Sequence, residues 1–308
     1  MKLIYFGTAP FAVPALRVLA PHVVLVISQP DRPTGRGMNL QASPVKAAAL
    51  ELGLPVETPE KSRAPEFVDR LRSEKADALI VAAYGQILSS AVLESATRGG
   101  VNLHGSILPK YRGAAPIQRA IFEGETETGV TLMQMDKGMD TGDMIDIVRT
   151  PIEPDETYGE LAERLADMAA RQVAGWIERI VAGDYPRTPQ DHSLATHAAK
   201  VMKADARLRV EEPADKEYNR FRAMYPSPGP FLDSIDFGSI RIHQCRLSER
   251  SVPSGVLEVE RKQAWLGFAQ GSIELLEIQQ AGKNRLSMEQ VIPGWRLADR
   301  IPFVAPNL

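Results

Sequence analysis

Asn102 and His104 stand two residues apart at the end of Val101–His104, a short run that reads as a strand. Alternate residues of a strand share a face, so the two side chains point the same way. An imidazole accepts or donates a proton near neutrality. A carboxamide N–H can donate to an oxygen that is gaining negative charge. The pair therefore has the makings of a proton-transfer site with an oxyanion donor, or, more plainly, of a hydrogen-bonded pair that closes a sheet edge. The stretch Asp136–Asp143 offers carboxylates on a Gly-rich turn. Asp140 lies between Gly138 and Gly142, where the backbone can approach a neighbour closely. A carboxylate held against one ring nitrogen fixes a histidine tautomer and raises the basicity of the other nitrogen. An Asp in such a turn can equally be a turn former alone, and spacing by itself does not bring it to His104.

A second group of residues could bind rather than react. The loop Gln29–Pro44 is long for a strand-to-helix connection and carries Arg32 and Arg36, the latter between Gly35 and Gly37. A guanidinium on such a loop can reach a phosphate or a base edge, or simply be solvated. Other chemistries lack their motifs. Phe6-Gly-Thr-Ala-Pro10 is neither a dinucleotide fingerprint nor a phosphate loop. No H-E-x-x-H or Cys/His cluster suggests a metal, and none is expected. No G-x-S-x-G elbow suggests a serine hydrolase. Cys245 is the single cysteine, which excludes an internal disulfide framework.

The elements that must position these residues follow from hydrophobic pattern. The chain has 308 residues, enough for two domains at about 150 residues each. Lys2–Phe6, Val23–Ser28, Leu54–Thr58, Ala78–Ala82 and Val101–His104 read as strands. Helical stretches fall between them: Phe11–Leu19, Val45–Leu52, Pro65–Glu74 and Ser90–Ala96. This alternation predicts a Rossmann-like, doubly wound, mostly parallel α/β sheet, whose ligands sit beyond the carboxyl ends of the strands. Two further strands, Thr128–Asp136 and Met144–Thr150, precede a long helix that starts at a Thr157/Glu160 capping pattern and stops near Gly183. Residues 1–183 are therefore read as the first domain and the polar, Pro-bearing 184–202 as a linker. In 203–308 a short helix, Asp215–Met224, precedes four strand candidates between Ser239 and Gln279, which predicts a small β-barrel.

Net charge is −3, from 36 basic and 39 acidic residues, so any nucleic-acid binding must come from local patches. No apolar run is long enough to span a bilayer. The apolar opening is broken by Gly7, Pro10 and Pro14, unlike a secretory signal. A cytoplasmic location is expected, with no membrane partner, as a monomer.

The motifs also carry a resemblance. Phe6–Leu16, the loop Gln29–Gly37 with Ser43–Lys46, Asn102–Pro109 followed by Tyr111–Ile117, and Met135–Asp143 resemble the methionyl-tRNA formyltransferase family along nearly the whole chain. The resemblance implies transfer of a formyl group from 10-formyltetrahydrofolate to the α-amine of methionyl-initiator tRNA. Asn102, His104 and Asp140 fall on the family's catalytic three. Ser106, Ile107, Leu108 and Pro109 fall on its tetrahydrofolate-binding segment. Arg36, with Arg32 and Lys46, falls on the loop that engages tRNA, and the second domain on the family's OB-like barrel, which helps hold the tRNA. Related enzymes formylate amino-sugar nucleotides with the same three residues, which leaves a small-amine acceptor as the alternative. Met38 and Asn39 stand where the family often has lysines, Val210 and Ser227 where it often has tryptophan, and His197 where tyrosine is frequent.

Overall fold

The computed structural model describes residues 1–34 and 39–305. The chain forms two units, one of Met1–Pro116, Glu127–Pro151 and Leu161–Ala199, the other of Ile117–Thr126, Ile152–Glu160 and Lys200–Leu308.

Almost unbroken apolar runs build the centre of the first unit. β1 (Leu3–Gly7), β2 (Val23–Ile27), β3 (Val56–Glu57), β4 (Ala78–Ala82) and β5 (Gly100–His104) pair in parallel. β6 (Glu127–Gln134) then joins β5 antiparallel, and β7 (Met144–Pro151) joins β6 antiparallel. The resulting order is β7-β6-β5-β4-β1-β2-β3. Every residue of β1, β4 and β5 is buried, and β1 and β4 carry no polar alternation because both faces of the sheet are covered. The chain winds from β1 to β2 and β3, then returns to β4 on the other side of β1, so the order reverses between β1 and β4. That crevice, at the carboxyl ends of the strands, is where such sheets take ligands.

The helix Tyr158–Ala182 has 25 residues and buries Leu161, Leu165, Val173, Ile177 and Ile180 along one stripe. Glu160 accepts from both the N–H and the hydroxyl of Thr157, at 2.9 and 2.7 Å. Arg98 donates to the carbonyls of Val181 and Ala182, which satisfies acceptors left open at the helix end. The polar stretch after it is partly structured. His197–Ala198 forms a two-residue strand parallel to Arg112–Gly113.

The second unit is an antiparallel sheet curled over its own core. β8 (Phe231–Ser234), β9 (Gly238–Ser248), β10 (Val256–Glu260), β11 (Gln263–Gly267), β12 (Ser272–Gln280) and β13 (Arg300–Pro302) run in the order β8-β9-β12-β11-β10-β13. The register between β9 and β12 shifts around Gln244, and bulges of this kind let a long strand bend around a core. Tyr218 and Phe221 of the helix Ala214–Met224 pack into that core with Leu232, Ile242 and Leu266. Val210 is 1% exposed there. It is thus a core position that a valine fills. Arg220 and Glu217 form a buried pair at 2.9 Å, and Glu217 also accepts from the Arg209 N–H. Burial pushes the Glu217 carboxyl up from the usual range, while Arg220 opposes the shift. Cys245, buried in this core, has its thiol pushed well up by loss of solvent. Among the described residues no helix is long and apolar enough to cross a membrane.

Candidate active site

The carboxyl end of β5 places Asn102 and His104 on one face, where the strand's pairing with β6 sets Asn102 opposite Met133 and His104 opposite Thr131. Both are nearly buried, at 9% and 5% exposed. The turn between β6 and β7 brings Asp140 to them, with φ at +55°. Its carboxylate is held from three sides. Oδ2 accepts from the Gly113 N–H at 2.8 Å and lies 3.7 Å from His104 Nδ1; Oδ1 receives one Asn102 N–H at 3.4 Å. Imidazole and carboxamide, neighbours on one strand, therefore meet a carboxylate from a separate turn at one point.

The histidine is oriented by a group with no side-chain signature. His104 Nε2 lies 2.9 Å from the carbonyl oxygen of Tyr111. A carbonyl only accepts, so Nε2 carries the hydrogen and the lone pair of the neutral ring is on Nδ1, facing Asp140. The sequence points to a carboxylate as the group that fixes the tautomer; the structure gives that task to a backbone carbonyl. Asp140 sits at ion-pair range, ready to stabilise the charge once Nδ1 takes a proton. The Asn102 amide keeps its second N–H free of Asp140 for another acceptor.

Close backbone approach makes this geometry possible. A Cβ on Gly142 would collide with the Gln134 carbonyl oxygen, so only glycine lets the Asp140 turn fold back on β6. Gly113 has φ at +120° and a Cβ there would lie 2.7 Å from the Ala198 carbonyl oxygen. Gly113→Ala is expected to move the N–H that anchors Asp140 and to lower turnover about tenfold or more, with strain of about 1–3 kcal/mol; steady-state kinetics with a thermal melt checks it.

Ser106–Pro109 leave β5 directly beyond His104. Thr131 Oγ1 donates to the Ser106 carbonyl at 2.6 Å and accepts from the Leu108 N–H at 3.1 Å. The Ser106 hydroxyl donates to the Lys110 carbonyl at 2.8 Å. Ser106 and Leu108 are thereby locked inward, while Ile107 and Pro109 stay partly exposed beside the site. In the expected tRNA loop, Arg32 begins a short hairpin, Arg32–Thr34 with Asn39–Gln41, and is exposed. Arg36 lies outside the described residues. Lys46 is spoken for: its ammonium pairs with Asp31 at 2.7 Å and ties the stem of the loop to the helix Pro44–Glu51.

Two residues absent from the sequence reading belong to the site. Gln190 and Thr196 both reach the segments that hold Asp140 and His104. Gln190 lies in no periodic or motif-bearing stretch, and Thr196, beside His197 in the polar linker, had no role of its own attached to it.

Residues 15–175 match the family model described as Formyl transferase, and residues 200–296 match Formyl transferase, C-terminal domain. Fold and models together define a two-part formyltransferase. A methionyl-tRNA formyltransferase of Sorangium cellulosum is 45% identical over 301 residues, covering 96% of each chain. One of Symbiobacterium thermophilum is 41% identical over 302 residues, covering 96% of this chain and 92% of its own. The chain belongs to the methionyl-tRNA formyltransferase family. The fold is shared more widely. An N-formyltransferase from Helicobacter canadensis, solved with folinic acid and dTDP-3-aminofucose, superposes with a TM-score of 0.65 at 20% identity, over 89% of this chain and 98% of its own. HypX from Aquifex aeolicus, solved with tetrahydrofolic acid, superposes at 0.65 and 15% identity, over all of this chain and 48% of its own.

Proposed function

We propose that this chain transfers the formyl group of 10-formyltetrahydrofolate to the α-amine of methionine esterified to initiator tRNA, giving formylmethionyl-tRNA for translation initiation in the cytoplasm. The observation that carries the reading is near-full-length similarity to methionyl-tRNA formyltransferases in a chain whose Asn102, His104 and Asp140 converge at the end of β5.

The geometry supports the following chemistry. The amine nitrogen attacks the formyl carbon, a C–N bond forms and the carbonyl oxygen takes the negative charge. The second Asn102 N–H donates to that oxygen. His104 Nδ1 receives the proton the amine sheds, and the imidazolium is then held between the Tyr111 carbonyl and the Asp140 carboxylate. When the tetrahedral carbon collapses, its bond to folate N10 breaks and the proton returns to that nitrogen, releasing tetrahydrofolate. No covalent enzyme intermediate is needed. The segment Ser106-Ile107-Leu108-Pro109 binds the folate donor, Ile107 and Pro109 with their exposed sides, while the Thr131 contacts that hold Ser106 and Leu108 inward keep it rigid.

Arg36, aided by Arg32, contacts the tRNA acceptor end, and Lys46 supports that loop through Asp31. Arg36→Ala is expected to raise KM for methionyl-tRNA about tenfold, a loss typical of one arginine contact, and to leave KM for the folate unchanged. Steady-state kinetics with each substrate varied in turn checks it, and an equal rise in folate KM would remove Arg36 from the tRNA contact.

The function itself is tested by supplying 10-formyltetrahydrofolate with either charged initiator tRNA or a dTDP-amino sugar. Formylmethionyl-tRNA is the expected product. Formylation of the sugar alone would put the chain with the small-amine transferases.

A further inference from the structure

The side chain of Gln190 is 6% exposed and saturated with hydrogen bonds. Its Nε2 donates to the carbonyl oxygen of Asp140 at 2.9 Å and to that of Gly142 at 2.8 Å. Its Oε1 accepts from Nε and a terminal nitrogen of Arg112, at 3.0 and 2.6 Å. One amide thus joins two backbone segments. The first carries the Asp140 carboxylate. The second, through the Gly113 N–H next to Arg112, binds that same carboxylate. Asp140 also holds a left-handed backbone, φ +55°, a conformation that a non-glycine residue keeps only when its surroundings impose it.

The polypeptide that follows Gln190 reaches the histidine as well. Thr196 accepts the Tyr111 N–H on its hydroxyl at 2.8 Å, and its carbonyl accepts the Arg112 N–H at 2.9 Å. His197–Ala198 then pairs with Arg112–Gly113. Tyr111 is the residue whose carbonyl orients His104. Residues 190–198 therefore strap together the acceptor of one ring nitrogen and the carboxylate facing the other.

We infer that Gln190 is a positioning residue for formyl transfer, setting through the backbone of Asp140 and Gly142 the distance between the Asp140 carboxylate and His104. It touches neither substrate nor the reacting atoms. Its loss lets the turn relax from its left-handed form, and a displacement of a fraction of an ångström at a catalytic carboxylate is enough to slow the chemical step. The inference rests on the proposed reaction. If the unaltered chain formylates no methionyl-tRNA, that reading fails; if it does so and Gln190 variants do too, only the inference fails.

The test is a double-mutant cycle with Asp140→Asn, followed by single-turnover formyl transfer and by steady-state KM. Gln190→Ala is expected to lower the rate about 10- to 100-fold while each KM stays within about threefold, because outer residues act through the groups they hold. In the Asp140→Asn background the same change is expected to cost less than about twofold, since the group it positions is already disabled. Gln190→Glu keeps the side-chain length and the Arg112 acceptor but removes both N–H donors, and is expected to match Gln190→Ala. A wild-type rate in either folded variant overturns the inference. So does the same fold-loss in both backgrounds, which marks a general structural support. Failure of both variants to fold does likewise.

Discussion

His104→Ala is expected to lower the single-turnover rate of formyl transfer about 10²–10⁴-fold, the range for loss of a general base. The imidazole is 5% exposed, and its Nδ1 faces a carboxylate 3.7 Å away. KM for either substrate should change little, because the ring acts on the amine as it reacts. The residue sits at the end of β5, where removal leaves a small cavity beside the site and costs about 1–3 kcal/mol. A thermal melt separates that loss from the loss in rate. A folded His104→Ala protein with near-wild-type turnover would take the base away from this histidine.

Asp140→Asn is expected to cost about 10³-fold or more, for a reason the tautomer makes specific. The carboxylate offers only acceptors, to the Gly113 N–H, to Asn102 and toward His104 Nδ1. A carboxamide keeps one oxygen, and the Gly113 N–H at 2.8 Å claims it. The new NH2 then stands in the Oδ1 place against the Asn102 amide, donor against donor; turned over, it would meet the Gly113 N–H and occupy the lone pair of His104 Nδ1. Either arrangement removes the base or the charge that stabilises its protonated form, the kind of loss seen when an acid partner of a histidine is neutralised. Shape is nearly conserved, so the melting temperature should hold while turnover collapses. A rate within tenfold of wild type would mean that His104 works without its carboxylate.

The parts of this site that were legible in the sequence are those whose side chains announce themselves. β1 and β4 are wholly buried and appear as uninterrupted apolar runs, while in the equally buried β5 Asn102 and His104 stand out as polar residues on one face. The helix Tyr158–Ala182 is long enough for its stripe and its Thr157/Glu160 start to be read directly. What stayed hidden is backbone. The Tyr111 carbonyl and the Gly113 N–H orient His104 and Asp140 by main-chain atoms that any residue possesses. The strands Arg112–Gly113 and His197–Ala198 are two residues each, too short to show a period of two. Gln190 lies in a polar stretch beside Pro189, where composition says only that a loop is present. In the second unit, the helix Met288–Trp295 holds Pro293 and Gly294, both usual signs of a break, and its apolar side is evident only once Met288 and Val291 are seen in the core. Lys46 shows the opposite limit: its charge is plain in the sequence, but its Asp31 partner is found only in three dimensions.

Asn102, His104 and Asp140 are expected to act as one unit on the formyl carbon. The measurement that tests it most directly is single-turnover transfer from 10-formyltetrahydrofolate to bound methionyl-initiator tRNA by Asn102→Ala, His104→Ala, Asp140→Asn and the triple variant, with tRNA affinity measured alongside. Groups that work together lose most of their effect at the first removal. The triple variant should therefore bind tRNA as the unaltered chain does and be no slower than about tenfold below the slowest single variant. Transfer by the triple variant at the wild-type rate would contradict the account, as would losses that multiply in full.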